Sequence, residues 1–284
     1  MSDRAHGEGD HRPAGEGASE PGVGPAVGAV VGVDTGGTFT DLVLVAPGEA
    51  PRIAKVRSTP DDPGRALLEG LTRLGHSEGK GLTIVHGTTV ALNALLTGRL
   101  GEAALVTNRG FQDLIEIDRQ SRPDLYALEP VRSAPLIPRE RRFEVDERAW
   151  PSLEGGSAGI DVVEGLEEAE IERVVAAVKA SGATSVAVCL LHSYAHPEPE
   201  ARLAGRLREE GLFATASSEL VPEYREAERF STAVANAALI PVVSAYLERL
   251  KRSLPEARLE VLQSSGGGLD AARAGREPVR VLLS

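Results

Sequence analysis

The stretch at residues 30–45 reads "VVGVDTGGTFTDLVLV". Two apolar runs flank Asp34, Thr35, Gly36, Gly37, Thr38, Thr40 and Asp41. A P-loop needs a lysine after its glycines and a helix directly following, and a dinucleotide fingerprint needs the same helix. Here β-branched and apolar residues continue from Phe39 to Val45, so the pattern is a β-hairpin with a glycine tip. Glycines at such a tip allow positive φ and close approach of backbone to a ligand. Consecutive N–H groups there form a nest for an anion, and Thr35, Thr38 and Thr40 add hydroxyl donors. Asp34 tolerates a phosphate only across a divalent cation, because at ~4 Å and an effective dielectric near 20 the like charges repel by about 4 kcal/mol. Mg²⁺ held through water meets that condition. An ordinary hairpin, with Asp and Thr closing turn hydrogen bonds, has the same local pattern.

The elements that must position this hairpin are legible around it. Residues 28–34, 39–46 and 51–58 read as three adjacent antiparallel strands. Residues 61–75 read as a helix capped by Asp61 or Asp62, with Pro63 in its first turn. "LTIVHG" is a buried strand, and "TTVALNALLTGR" a helix capped by Thr88 or Thr89. "EAALVTN" is a strand, and 119–140, with four prolines, is irregular. "RRFEVDER" alternates like a strand, and "SLEGGSAGI" is a loop. "EEAEIERVVAAVKASG" is a helix with Gly182 beyond its end. "SVAVCLLHS" is a buried strand, "PEPEARLAGRLREEG" a helix and "LFATASSEL" a strand. Residues 223–253 form one long helix bent near Pro241, and "RLEVLQSSGGG" a strand entering a glycine turn. Antiparallel strands followed by alternating helices and strands predict an α/β domain with a mixed sheet.

The chain has 284 residues and a net charge of −11, a balance that argues against nucleic acid or an anionic membrane as a partner. No run of about 18 apolar residues is present, so no membrane span is expected. The single cysteine, Cys189, lies in an apolar strand and reads as core rather than nucleophile. One cysteine cannot form an internal disulfide, which suits a reducing, cytoplasmic setting. Residues 1–27, rich in Gly, Pro and acids, read as a disordered tail. Their His6 and His11 are expected to be solvated.

Seven segments, "VGVDTGGTFTDLVLV", "IVHGTTVALNALL", "GFQDLIEIDRQSRPDLY", "RRFEVDER", "VAVCLLHSYAHPEPE", "ERFSTAVANAAL" and "VLQSSGGG", resemble, in this order, the hydantoinase A/oxoprolinase family. The resemblance covers roughly residues 28–284. It implies an actin-like ATPase (ribonuclease H-like) lobe with a mixed sheet at 28–210 and the start of a second lobe at 211–284. It further implies ATP and Mg²⁺ as cofactors, a small cyclic amide as substrate and a hydantoinase B-type partner subunit. The implied chemistry is ATP-dependent opening of a cyclic amide: phosphorylation of the lactam oxygen gives an activated ester that water attacks. A carboxylase branch applies the same logic to an enol and bicarbonate, and both rest on positioning and charge stabilisation.

Residue by residue, the resemblance places Asp34, Thr35, Gly36, Gly37, Thr38 and Thr40 in the phosphate hairpin. Asp34 and the weaker Asp41 fall at the metal. His86, in "HGTT", is implied as a donor to a phosphate or to the lactam oxygen, against a packed histidine as the plain alternative. Thr88 and Thr89 sit at a helix N-terminus able to face an anion. Arg119 and Arg122 are implied as a fork for a carboxylate or imide, against loop-anchoring salt bridges to Asp118 and Asp124. Gly266 and Gly267 belong to a turn near the cleft. Asp118 and Ser121 stand where the family usually has Gly and Asn, Phe230 where it has Thr, and His192 where it has an aromatic. Family chains continue beyond the equivalent of Ser284 with a second phosphate loop. The 284-residue chain alone is therefore expected to bind ATP weakly or not at all, as a fragment, a truncated gene, one piece of a split protein or a non-catalytic relative.

Overall fold

The computed structural model describes residues 28–59, 62–120, 126, 128, 134–152 and 159–283. The expected tail at 1–27, Asp61 and Arg122 lie outside these residues. In chain order the elements are β1 (Val30–Thr35), β2 (Phe39–Val45), β3 (Arg52–Arg57), α1 (Pro63–Arg73), β4 (Thr83–Thr88), α2 (Val90–Thr97), β5 (Ala103–Asn108) and α3 (Leu114–Ile117). There follow β6 (Arg142–Val145), β7 (Arg148–Ser152), β8 (Gly159–Glu164), α4 (Glu168–Ala180), β9 (Ser185–Cys189), α5 (Glu198–Glu209), β10 (Phe213–Ala216) and α6 (Ser217–Leu220). Last come α7 (Glu226–Ser253), β11 (Arg258–Leu262), β12 (Gly268–Asp270) and α8 (Ala271–Arg276).

Two sheets carry the molecule. The first has the order β12-β11-β4-β1-β2-β3, the second β10-β9-β5-β6. In the first, β1, β2 and β3 form the expected antiparallel meander, while β4 runs parallel to β1 and β11 parallel to β4. This is the mixed α/β sheet that the sequence predicts. One face of it is core: Val31, Val33, Leu42, Leu44, Ala54, Val56, Ile84 and Val261 pack on Leu67 and Leu71 of α1 and on the second half of α7. The α1 contact is close enough that a Cβ at Gly70 would stand 2.2 Å from Leu42 Cδ1. The second sheet is parallel throughout and buried on both faces, as such sheets require.

The helix α7 joins the two sheets. Its first half packs Phe230, Ala233, Val234, Ala237 and Ala238 on the second sheet, and its second half packs Leu239, Val243, Leu247 and Leu250 on the first. Pro241 lies near the changeover and cannot donate to the Ala237 carbonyl. The Ser185 hydroxyl donates there instead at 2.7 Å, and the Gly101 N–H donates to Ala238 O at 2.9 Å. By length and hydropathy α7 could cross a bilayer, yet 67% of its most apolar window is buried inside the protein, so it reads as a core helix. Residues beyond 211 supply strands to both sheets: β10 pairs with β9, and β11 with β4.

Several expected elements differ. "RRFEVDER" is divided between β6 in the second sheet and β7, which forms a separate hairpin with β8. The expected loop at 152–160 therefore ends inside β8. "SVAVCLLHS" stops as a strand at Cys189 and turns at Leu191. "LFATASSEL" is a four-residue strand followed by α6, because Ser217 and Ser218 turn toward a buried carboxylate. Asp62 and Thr89 stand at the N-caps of α1 and α2 without a side-chain capping bond.

Candidate functional site

In β1 successive side chains alternate between faces. Val31, Val33 and Thr35 enter the core, while Gly32 and Asp34 face out. Register carries that division across the sheet: Asp34 lies opposite Asp41 on β2 and Gly87 on β4, and Asp41 lies opposite Lys55 on β3. The carboxylate of Asp41 accepts from Lys55 Nζ at 2.8 and 3.0 Å. Among the described residues, the exposed carboxylate of Asp34 has no hydrogen bond or ion pair. The two expected metal residues thus differ: one is tied to a base and the other stands open. No group of three His, Cys, Asp or Glu side chains suited to a metal occurs among the described residues. One open carboxylate fits Mg²⁺ nonetheless, since that ion keeps several waters and takes one or two carboxylates together with phosphate oxygens.

The tip between β1 and β2 is tight. Gly36 N–H donates to Phe39 O at 3.0 Å. A Cβ at Gly36 would stand 3.2 Å from that same oxygen, whereas one at Gly37 would meet nothing within 4 Å. Neither glycine takes the positive φ expected of it; Gly36 is required by clearance, and Gly37 leaves the tip bare. Among the described residues the N–H groups of Gly37 and Thr38 donate to no backbone or side-chain acceptor, so two consecutive donors face outward with the exposed Thr38 side chain. Ser58 braces the tip from beneath. Its hydroxyl donates to Gly36 O at 2.7 Å and lies 3.0 Å from Thr40 Oγ1, and its N–H donates to Thr38 O.

Thr40 therefore supports the hairpin from the core side rather than offering a hydroxyl to a ligand. Thr35 is also on that side, 3% exposed, and its hydroxyl has no partner. Ser58 carries no sequence signal beyond its place at the end of a strand.

The ends of β1, β4 and β11 fall level. Thr35 pairs with Thr88, and Val261 with His86. The glycine tip, the start of α2 and the turn after β11 consequently share the carboxyl edge of three parallel strands, where open α/β sheets bind ligands. At α2, Thr88 Oγ1 accepts from Val90 N–H at 3.3 Å, and Thr89 Oγ1 donates to Thr35 O at 3.3 Å. In the turn, Gly266 and Gly267 take φ of 91° and 83°, a region open to glycine, and Gln263 N–H donates to Gly267 O.

His86 is a correction. It shares the strand edge but points to the other face from Asp34, fully buried beneath the sheet. Its Nε2 lies 2.7 Å from Tyr246 Oη on α7, and its Nδ1 makes no hydrogen bond of normal geometry. Burial pushes its pKa down to about 4, offset in part by a contact with the Val33 backbone. A neutral, enclosed imidazole does not donate to a ligand at the hairpin; it links β4 to α7. Tyr246, whose hydroxyl burial pushes up, gave no sign in the sequence.

Arg119 belongs to the second sheet's side of the molecule, after α3, where it pairs with Glu228 in the first turn of α7. That is the loop-anchoring alternative, with a different acid from those expected, and among the described residues no contact joins Arg119 to the hairpin. Cys189 is buried, and its thiol is pushed well up by burial, in keeping with a core role.

Sequence and structure comparisons relate the chain to known proteins. The family described as hydantoinase/oxoprolinase N-terminal region matches residues 30–211, and that described as hydantoinase/oxoprolinase matches 229–284. A 5-oxoprolinase of Pestalotiopsis fici is 32% identical over 278 residues, covering 84% of this chain and 21% of that protein. The crystal structure of an ATP-dependent caprolactamase from Pseudomonas jessenii superposes with a TM-score of 0.71 at 29% identity, over 85% of this chain and 36% of that one. A nucleotide-free acetone carboxylase structure, from work on ATP-dependent acetone carboxylation, superposes with a TM-score of 0.69 at 26% identity, over 90% and 38%. The chain spans about a fifth to two fifths of the curated relatives it matches.

Proposed function

The chain belongs to the hydantoinase/oxoprolinase family, and from that premise we propose that it is the ATP-binding portion of an enzyme that opens a cyclic amide at the expense of ATP. The observation that carries the proposal is the open carboxylate of Asp34 beside two free N–H groups at a glycine tip, on the carboxyl edge of parallel strands. Gly37 and Thr38 would hold phosphate oxygens through their N–H groups, and Asp34 would hold the hydrated Mg²⁺ that accompanies them. The start of α2 and the turn at Gly266 and Gly267 border the same anion. Bound ATP supplies the phosphoryl group that activates the amide oxygen. The chain's own share is to fix that group in place and balance its charge, which is most of what phosphoryl transfer asks of a protein.

A 5-oxoprolinase and a caprolactamase among the relatives support a lactam as substrate, and an acetone carboxylase among them supports a ketone as the second reading. One relative is the alpha subunit of a caprolactamase, which supports a second, hydantoinase B-type subunit as partner. The test is ATP hydrolysis by the complete assembly with and without Asp34→Ala. A loss of a hundredfold or more in kcat is expected, with unchanged thermal unfolding; hydrolysis at the wild-type rate removes Asp34 from the mechanism.

A further inference from the structure

Arg148 and Trp150 share one face of β7, with the buried Ala149 between them on the other. The loops that follow β5, β6 and β9 meet at this point, the carboxyl edge of the second sheet. Asn108 ties the three together: its side chain donates to Glu147 O and accepts from Leu191 N–H, both at 2.7 Å, and its backbone carbonyl accepts from Phe111 N–H at 3.0 Å. Arg148 lays its guanidinium over the Phe111 ring, 4.9 Å from the centroid, and Trp150, 55% exposed, meets His192 edge to face at 5.5 Å. Three acids stand near Arg148 and none forms an ion pair with it. Asp146 is taken by Arg109 at 2.5 Å, Glu147 accepts from Asn108 at 2.5 Å, and Glu164 lies opposite Arg148 across the hairpin without bonding to it. Among the described residues the half-buried Arg148 makes no hydrogen bond. A charge drawn partly out of water without an acceptor is unfavourable, so this guanidinium points to an acceptor from outside the chain. Stacking on Phe111 fixes its plane and leaves the N–H donors at its edge open.

We propose that Arg148, Phe111 and Trp150 form a binding site for a small organic carboxylate with an apolar body. The Arg148 fork takes the carboxylate bidentately, and Trp150 covers the body. Two residues apart on one strand, the two side chains start about 7 Å from each other, a span that suits a small ring acid. A carboxylate fits better than a phosphate, because one open cation with Asp146, Glu147 and Glu164 close by balances a single negative charge. The place agrees with the general rule for open α/β sheets, which take ligands outside the carboxyl ends of their strands. Opening a cyclic amide releases a carboxylate, so the product of the proposed reaction belongs to this class. That link alone rests on the ATP reading above; the site itself does not.

The experiment titrates the full 284-residue chain with cyclohexanecarboxylate and follows the emission of Trp150, the one tryptophan in the sequence. A saturable change is expected, with the neutral cyclohexanecarboxamide and inorganic phosphate each binding at least tenfold more weakly. Arg148→Gln is expected to melt as wild type does and to bind the acid at least tenfold more weakly. Arg148→Lys is expected to fall between, because an ammonium keeps the charge and loses the planar fork. Arg109→Gln, which removes a guanidinium already tied to Asp146, is expected to bind as wild type does. In the wild-type protein the Arg148 Nε–H NMR signal is expected to shift with the acid, a readout that needs no variant to fold. Equal binding of the amide or of phosphate, unchanged binding by Arg148→Gln, or an Nε–H signal that does not move would each overturn the proposal. None of these outcomes touches Asp34, so the ATP reading stands or falls on its own test.

Discussion

Both sheets end in polar residues at their carboxyl edges, and the two ends are built on opposite terms. At the end of the second sheet, Glu200 is fully buried and accepts from Leu190 N–H, Ser217 Oγ, Ser218 N–H and Ser218 Oγ at 2.6–2.8 Å. Arg229, also fully buried, donates to Ser217 Oγ, Glu223 O and Leu190 O. Asn108 donates to Glu147, whose carboxyl burial pushes up, and accepts from Leu191 N–H. Each of these groups spends its bonding capacity on the protein. At the end of the first sheet, the exposed Asp34 carboxylate and the Gly37 and Thr38 N–H groups are left unspent. Buried polar groups that satisfy one another specify a fold, whereas unsatisfied ones at a strand edge are available to a ligand. Sequence motifs mark both ends alike; the partners decide which is which.

The largest expected effect breaks the closed end. Arg229→Met removes a buried guanidinium and leaves two carbonyls and a buried serine short of a donor, which costs about 3–5 kcal/mol. Urea unfolding measures it, and a change below 1 kcal/mol would mean that the network is not structural. Next is His86, which lies buried under the open end with only its Nε2 bonded, to Tyr246. Its folded pKa of about 4 is below the unfolded value of 6.5. The unfolded chain therefore takes up a proton first as pH falls, and stability contributed above pH 6.5 drains away toward pH 4. The loss is roughly 3 kcal/mol from this group. The stability difference between wild type and His86→Gln should shift by about that amount between pH 7 and pH 4; parallel pH curves would contradict it. Smallest is the exposed pair Lys55–Asp41. Lys55→Met should change stability by under about 1 kcal/mol. Because it frees Asp41 beside Asp34, it should alter Mg²⁺ dependence more than unfolding.

How much of this could be read beforehand follows from what each residue answers to. The meander, the first two helices and the buried strands answer to local periodicity, which is written in the residues themselves. Asp34 stood out because an acid beside a glycine tip, between two apolar runs, suits either a turn or a ligand, and only the structure shows that its carboxylate closes no turn. His86 was misplaced because "HGTT" reads as a unit, while strand alternation sends His86 and Gly87 to opposite faces and only the pairing with β1 fixes which face is open. Tyr246 and Ser58 reach their partners across 160 and 18 residues, and no local pattern announces such contacts. The turn of "ATASSEL" into α6 was hidden for the same reason, since its cause is Glu200 on another helix.

The central claim is that the open end is a phosphate seat. Titrating the ¹⁵N-labelled chain with Mg-ATP and following every amide tests it most directly. Shifts should gather at Gly37, Thr38, Asp34 and the 263–268 turn, leave the Glu200 and Arg229 surroundings unmoved, and vanish in Asp34→Ala. Shifts gathered on the second sheet, with the glycine tip silent, would contradict the account.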